Sequence, residues 1–403
     1  MESRPLGFAE TFLHRFYTDL DAGLVTVVAA QLRAPISETN LREAISRVRL
    51  RHPLLRCTIV QDGDGFAFAE TEAAPLTAIQ QWDVDLTSLF ERLLDQPFPD
   101  PSQLWEVGVS AHPNEPQVAY LKIHHAIADG TAARSLLLEL LSPSNDSSEI
   151  EPLPLLPTVE QLMAKGSTTF DEPLPQPRQN ADWKFEQKAT RSDRTCRSIL
   201  HKTDCRPILD SAHERKITVN SILMEAVLRN APTLPQYPEF SSLILPVSVR
   251  NRIQPGIEDS QLGCLIGNAL VYSPDREALD SPRLGAILGR QLEHSMGTAI
   301  TGPADFTPSM VKEAITPFAD NEQDQFGFPL ALSNVGALPS IEGVEALWFG
   351  ASVKPGHLGI LISASTIGEH LCLGFHYTEP LLSRKSVHAY AEAVMRSLTA
   401  ISG

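Results

Sequence analysis

The stretch that most constrains this chain is Ile123-His124-His125-Ala126-Ile127-Ala128-Asp129-Gly130, because it joins two segments of opposite character. Before it, Gln117 to Ile123 contains no glycine or proline and has the content of a β-strand. After it, Thr131 to Leu141 is made almost wholly of helix formers. A strand that ends in two histidines and turns through Asp-Gly into a helix is built to present a side chain. Neighbours on a strand point to opposite faces, so His124 and His125 meet different surroundings.

The chain has 403 residues, too many for one ordinary core, and two domains of similar size are expected. A hydrophobic content of 42% with 20% charged residues is that of a soluble globular protein rather than a disordered one. The net charge of −16 argues against nucleic acid as a general partner, since phosphate binding needs a basic surface. The five cysteines are scattered and form no CxxC pair, which fits a reducing compartment better than a disulfide framework. Neither a basic-then-apolar leader nor an apolar run of membrane-spanning length is present, so the expected location is cytoplasmic.

In the first half, strands and helices are interspersed. Phe8, Phe12, Leu13 and Phe16 form one helical stripe, and Leu24 to Leu32 is a β-branched run. A helix over Leu41 to Arg51 begins at Ser37-Glu38-Thr39-Asn40 and ends at His52-Pro53. Leu54–Val60 and Phe66–Ala69 predict a hairpin, Leu86–Asp95 a helix, and Trp105–Val109 a strand. From Ser142 to Asn180 the chain turns polar and proline-rich, with Pro152, Pro154, Pro157, Pro173, Pro175 and Pro177, which makes it the best domain boundary. Asp182 to Pro207 is locally basic, with seven lysines and arginines against four acids. A solvated face explains that, and so does a landing patch for the phosphates of coenzyme A or a phosphopantetheinyl arm.

The second half predicts helices at Val219–Asn230, Leu284–His294 and Ser386–Leu398. Strands are predicted at Ser242–Arg250, Pro329–Asn334, Val344–Phe349, Gly359–Ser365 and Leu371–Tyr377. Pro246 inside a strand points to an edge or bulge. The glycines within Leu262–Leu270 mark a place where backbone or ligand approaches closely.

Four roles compete for the paired histidines. A satisfied structural histidine is the plain one, weakened by the second histidine and the Asp-Gly that follows. A shared metal ion conflicts with the opposite faces of the two rings, and no zinc-like spacing accompanies them. A base for an enzyme nucleophile would call for a GxSxG-type turn, which is absent. The fourth is a histidine acting directly as general base on a substrate hydroxyl or amine, which suits a group titrating near neutral pH. Asp129 is then an organiser, able to cap the following helix or pair with an arginine, and Gly130 leaves room for substrate.

His124-His125-Ala126-Ile127-Ala128-Asp129-Gly130 resembles the HHxxxDG signature of the chloramphenicol acetyltransferase-like superfamily. That superfamily includes peptide-synthetase condensation domains, alcohol acetyltransferases, plant BAHD acyltransferases and polyketide-associated acyltransferases. The resemblance continues along nearly the whole chain, at His52-Pro53-Leu54-Leu55-Arg56, Pro246-Val247-Ser248-Val249-Arg250-Asn251-Arg252, Gly263-Cys264-Leu265-Ile266-Gly267-Asn268 and Ser333-Asn334-Val335-Gly336. It is nearest to the stand-alone polyketide-associated and alcohol acyltransferase branch. The DFGWG stretch of the BAHD branch has no counterpart.

The resemblance implies an α/β protein of two similar lobes, each a mixed sheet with helices, with an active-site channel at their interface. The N-terminal lobe would cover residues 1–165, a linker or crossover 166–195, and the C-terminal lobe 196–403. It implies that His125 deprotonates an acceptor hydroxyl, or less favourably an amine, which attacks a thioester directly. His124 would support it. Asp129 would be structural and held by an arginine, with Arg250 ranked before Arg252. Ser333, Asn334 and the backbone near Gly130 are the candidate oxyanion donors, and Asn268 a support residue. Ordinary readings stay open beside these: a salt bridge for Arg250 and Arg252, a strand-end hydrogen bond for Asn268, strand packing for Ser333 and Asn334, and core packing for Cys264. The donor would be acyl-CoA or a carrier-protein-bound thioester, the acceptor a small molecule of secondary metabolism, and the protein a monomer without cofactor or metal. Two rivals remain: cyclisation or dehydration chemistry on the same fold, and a non-catalytic carrier-binding protein.

Overall fold

The structure, a computed structural model, describes residues 3–20, 24–70, 79–142, 150–164, 183–238, 242–272, 279–297, 302–303, 305–319 and 324–400. Its first half runs β1 (Arg4–Pro5), α1 (Phe8–Asp19), β2 (Val25–Leu32), α2 (Glu38–Arg51), β3 (Cys57–Asp62), β4 (Gly65–Glu70), β5 (Gln80–Trp82), α3 (Leu86–Asp95), β6 (Trp105–Ser110), β7 (Val118–His124), α4 (Gly130–Leu141) and α5 (Val159–Ala164). The second half runs β8 (Thr195–Asp204), α6 (Arg206–Arg215), α7 (Val219–Asn230), β9 (Ser242–Ser248), β10 (Ile266–Tyr272), α8 (Leu284–Gly297) and α9 (Pro308–Ala319). It closes with β11 (Phe328–Leu338), β12 (Val344–Ala351), β13 (Leu358–Ile367), β14 (His370–Glu379) and α10 (Arg384–Ala400).

Two mixed sheets carry the fold. One has five strands in the order β12-β2-β7-β6-β5, the other six in the order β10-β9-β11-β13-β14-β8. A small sheet, β1-β4-β3, flanks the first. The two large sheets stack between layers of helix. Val28 and Ala30 of β2 pack toward α2 and α4, against Leu41, Val48, Leu136 and Leu140. Val27 and Ala29, on the opposite face, pack with Leu89 and Leu93 of α3 and with Ala331 and Leu361 of the second sheet. The second sheet's other face buries Leu223, Leu288 and Val387 from α7, α8 and α10. Because β2 is covered on both faces, it reads as a mostly apolar run, broken only by Thr26 and Gln31, rather than an alternating one.

One strand crosses the expected division at 166–195. β12 comes from the C-terminal half but pairs antiparallel with β2 at the edge of the first sheet. The second sheet grips it from below: Ser363 Oγ donates to the Phe349 carbonyl at 2.5 Å, Ser365 Oγ donates to the Leu347 carbonyl, and Trp348 Nε1 donates to the His201 carbonyl at 3.1 Å. A polar suture therefore links the lobes as well as an apolar one.

Some local expectations change. Leu54 to Arg56 belong to a short 3-10 turn, Pro53–Arg56, and the hairpin starts only at Cys57, because Pro53 presets a helical φ at the turn's first position. Of the proline-rich boundary, Pro173, Pro175 and Pro177 lie outside the described residues. Before them, Leu153 N–H bonds the Arg51 carbonyl at 2.8 Å, and Glu160 accepts from Ala9 N–H at 2.8 Å near the start of α1. Pro246 falls beyond the end of the β9–β11 pairing, which covers Leu243 and Ile244 alone, while β10 continues to pair on the other side. All five cysteines are buried free thiols, and no helix among the described residues is long and apolar enough to cross a membrane.

Candidate active site

β7 ends at His124, and the chain turns through His125, Ala126 and Ile127 before α4 begins at Gly130. The turn, and not strand alternation, separates the two histidines, since His125 lies beyond the end of β7. His124 is buried, with Nδ1 accepting from Ala126 N–H at 3.1 Å, so Nε2 carries the ring hydrogen. Its ring packs on Tyr17 at 4.9 Å and His14 at 5.5 Å between centroids. Burial, then the neighbouring His14 and His125, pushes its pKa well below the ordinary histidine value, so it stays neutral. His125 is half-buried and lines a cavity of about 350 Å³ between the lobes. Its backbone N–H bonds the Leu24 carbonyl at 3.3 Å. Its Nδ1 lies 4.0 Å from the Cys264 thiol, which leaves Nε2 as the nitrogen for the cavity. The Cys264 thiol is itself pushed well above the usual thiol range by burial and by the Asp129 carboxylate, which makes it a poor nucleophile.

Asp129 takes both roles open to it. Oδ1 caps α4 by accepting from Ala132 N–H at 3.0 Å, while Oδ2 accepts from Arg250 Nη1 at 2.5 Å and from Leu265 N–H at 2.9 Å. Arg250 Nη2 donates to the Gln261 carbonyl at 3.2 Å and the Gly263 carbonyl at 3.4 Å. Both side chains are essentially sealed, at 0% and 1% exposure. The pair thus pins the motif of one lobe to a loop of the other, where Ala128 and Gly263 also form an isolated β-bridge. Arg252 turns elsewhere: its Nη1 donates to the Met296 carbonyl, at the end of α8.

The remaining expected residues separate as well. Asn268 and Ser333 line the cavity. Asn334 lines it too, but its amide is committed, with Nδ2 donating to Asn220 Oδ1 at 3.3 Å and Oδ1 accepting from Gly336 N–H at 2.9 Å. That commitment shapes a bulge in β11 between Asn334 and Ala337, where Gly336 takes a φ of +84°. Gly130 serves packing as well as access. A Cβ there would lie 3.0 Å from Val335 Cγ1 and 3.3 Å from Phe349 Cε2. We expect Gly130→Ala to cost about 1–3 kcal/mol through overpacking. Thermal denaturation reads this, and adding Val335→Ala should recover part of the loss. An unchanged melting temperature for Gly130→Ala would mean that Val335 and Phe349 yield freely.

Sequence reasoning passed over Arg134. It is buried in α4, with Nη1 donating to the Val335 carbonyl on the β11 bulge and Nη2 to Asp259 Oδ2 at 3.2 Å. The signal was there: one cation inside an apolar helix. The basic segment, by contrast, spends its charges internally. Arg197 pairs with Glu91 and Glu379, Lys202 with Glu345, and Lys188 with Asp324, while Arg194 Nη1 bonds the Pro355 carbonyl at 2.7 Å. These contacts favour the solvated-face account over a phosphate landing patch. Among the described residues no group of three or more His, Cys, Asp or Glu side chains is placed to hold a metal ion.

The chain superposes over 99% of its length, at a TM-score of 0.67 and 16% identity, on 98% of polyketide synthase associated protein 5 from Mycobacterium tuberculosis. Its likeness to the trichothecene 15-O-acetyltransferase of Fusarium sporotrichioides has a TM-score of 0.70 at 14% identity, covering 99% of this chain and 95% of that one. The likeness shows a shared fold. The epimerization domain of the third module of tyrocidine synthetase B shares it as well, with a TM-score of 0.64, 14% identity, and 100% and 96% of the two chains covered. No family model matches the chain, and no curated protein does. The shared fold therefore supplies the two-lobed architecture, and the chemistry has to be argued from the site.

Proposed function

We propose that this protein is an acyltransferase that moves an acyl group from a thioester to the hydroxyl of a small molecule, with His125 as general base. The observation that carries the reading is a half-buried His125 on the wall of an interlobe cavity, beside an Asp129 locked across the interface by Arg250. A scaffold protein would have no use for an imidazole facing an internal cavity.

Nε2 of His125 takes the acceptor's O–H proton, and the oxygen forms its bond to the thioester carbonyl carbon. The tetrahedral intermediate then collapses, the C–S bond breaks, and the leaving thiolate recovers the proton from His125. The negative carbonyl oxygen of that intermediate calls for hydrogen-bond donors. The first-turn amides of α4 at Gly130 and Thr131 suit it, at the positive end of a helix whose residues line the cavity. The hydroxyl of Ser333 is the better side-chain donor, since the Asn334 amide is engaged with Asn220 and Gly336. Direct attack is also favoured by the cavity's own thiol, since burial and the Asp129 carboxylate raise the Cys264 pKa and make it a poor nucleophile. Incubation with a labelled acyl-CoA alone should leave no label on the protein. A stable acyl adduct at Cys264 would sink direct attack.

The pH profile tests the base separately. Burial of the ring lowers the pKa of His125, with a hydrogen bond to its own backbone and the charge of Asp129 working the other way. The neutral ring is the active form, so kcat/KM should hold steady through neutral pH. It should fall only as pH drops through a value below about 6.5, the ordinary histidine pKa. An acid limb above that value would assign the titration to another group.

A further inference from the structure

Phe8, Phe12 and Phe16 recur every fourth residue on α1 and all three border the cavity, Phe8 and Phe12 half-buried and Phe16 sealed behind them at 1% exposure. Their rings form a ladder, with centroids 6.4 Å apart for Phe8 and Phe12 and 4.7 Å apart for Phe12 and Phe16. The ladder is bounded at both ends. At Phe16 the ring of His357 meets it edge-on at 5.3 Å, and at Phe8 the ring of Phe306 does so at 5.7 Å. Gly302, with a φ of +100°, abuts the Phe8 ring so closely that no Cβ would fit there. Phe328, Leu358 and Leu361 add further apolar lining.

Among the described residues that line the cavity there is no lysine, arginine or glutamate, and the one carboxylate, Asp129, is committed to Arg250. A phosphate or carboxylate of a substrate would find no lysine or arginine counter-charge among these described residues. The cavity's other polar lining is neutral hydroxyl, amide and imidazole side chains, among them Ser248, Asn268, Ser333 and His125.

We propose that the α1 ladder is the binding wall for an extended apolar chain, an alkyl or alkenyl group up to about 12 Å long, the axial rise of the helix from Phe8 to Phe16. The chain belongs to one of the two substrates of the proposed transfer, so this inference rests on that reading for its setting. Burial of each methylene against such a wall tightens binding roughly fourfold. The tightening ends where the chain meets the capped ends of the ladder.

Two arms of one experiment identify which substrate carries the chain. Isothermal calorimetry measures binding of non-reacting n-alkyl thioethers of pantetheine, and separately of straight-chain primary alcohols, each as a series of increasing length. Parallel assays measure kcat/KM for the matching acyl thioesters and alcohols. In one arm, affinity should rise about fourfold per methylene and then level off. Phe12→Ala should flatten that slope, and Phe12→Leu, which keeps an apolar wall should Phe12→Ala not fold, should retain most of it. Affinity independent of chain length in both arms would overturn the wall, even if transfer proceeds. Length-dependent binding without transfer would overturn the acyltransferase reading and leave the wall standing.

Discussion

Replacing His125 with alanine should lower kcat by about two to four orders of magnitude, the usual worth of a general base, while the protein stays folded. The expectation of an intact fold comes from the way the residue is held. His125 is anchored by its backbone, through N–H to the Leu24 carbonyl, and its half-buried ring lines a cavity rather than filling a core. Removing the ring should therefore cost about 1 kcal/mol or less. Steady-state kinetics with a thermal melt of the same preparation checks both halves. Full turnover by the His125→Ala protein would sink the mechanism. A collapsed melt would mean that the ring is structural.

The second large effect belongs to the interface. Arg250→Met should destabilise the protein by about 3–5 kcal/mol, because it leaves the Asp129 carboxylate buried without its counter-charge. The hydrogen bonds from Ala132 and Leu265 remain, but two amides do not replace a guanidinium 2.5 Å away. Asp129→Asn should be damaging for the converse reason, stranding Arg250. The two changes share one partner, so the double variant should lose less than the sum of the singles, with a coupling of about 0.5–3 kcal/mol. Denaturant unfolding of the four proteins measures this, and an unchanged midpoint for Arg250→Met would refute the clamp. Activity should fall along with stability, since the same carboxylate caps the helix whose first turn faces the cavity.

Much of the local structure was legible from the chain alone. Helices over Leu86–Asp95 and Val219–Asn230, the cap at Ser37 and the turn from β7 into α4 depend on periodicity and on side chains within a few residues. The motif also indicated the fold, because its resemblance brought a whole architecture with it. The site residues were harder to sort. Arg250 and Arg252 sit in one 3-10 turn, Arg250–Arg252, yet one reaches Asp129 and the other the Met296 carbonyl. Nothing in their local sequence separates them.

The order of residues sets where side chains of each kind stand along the chain, which elements they occupy, and that a histidine is presented just past the end of a strand. Tertiary structure alone decided the partners. It set Arg250 against Asp129, turned the Asn334 amide to Asn220, and brought Arg134 to the β11 bulge. It also laid β12 on the sheet of the other lobe. An apolar strand carries the same pattern whichever sheet it joins, and a charge 121 residues away leaves no periodicity to read. Those choices follow from how two complete layers pack, and packing is a property of the whole chain.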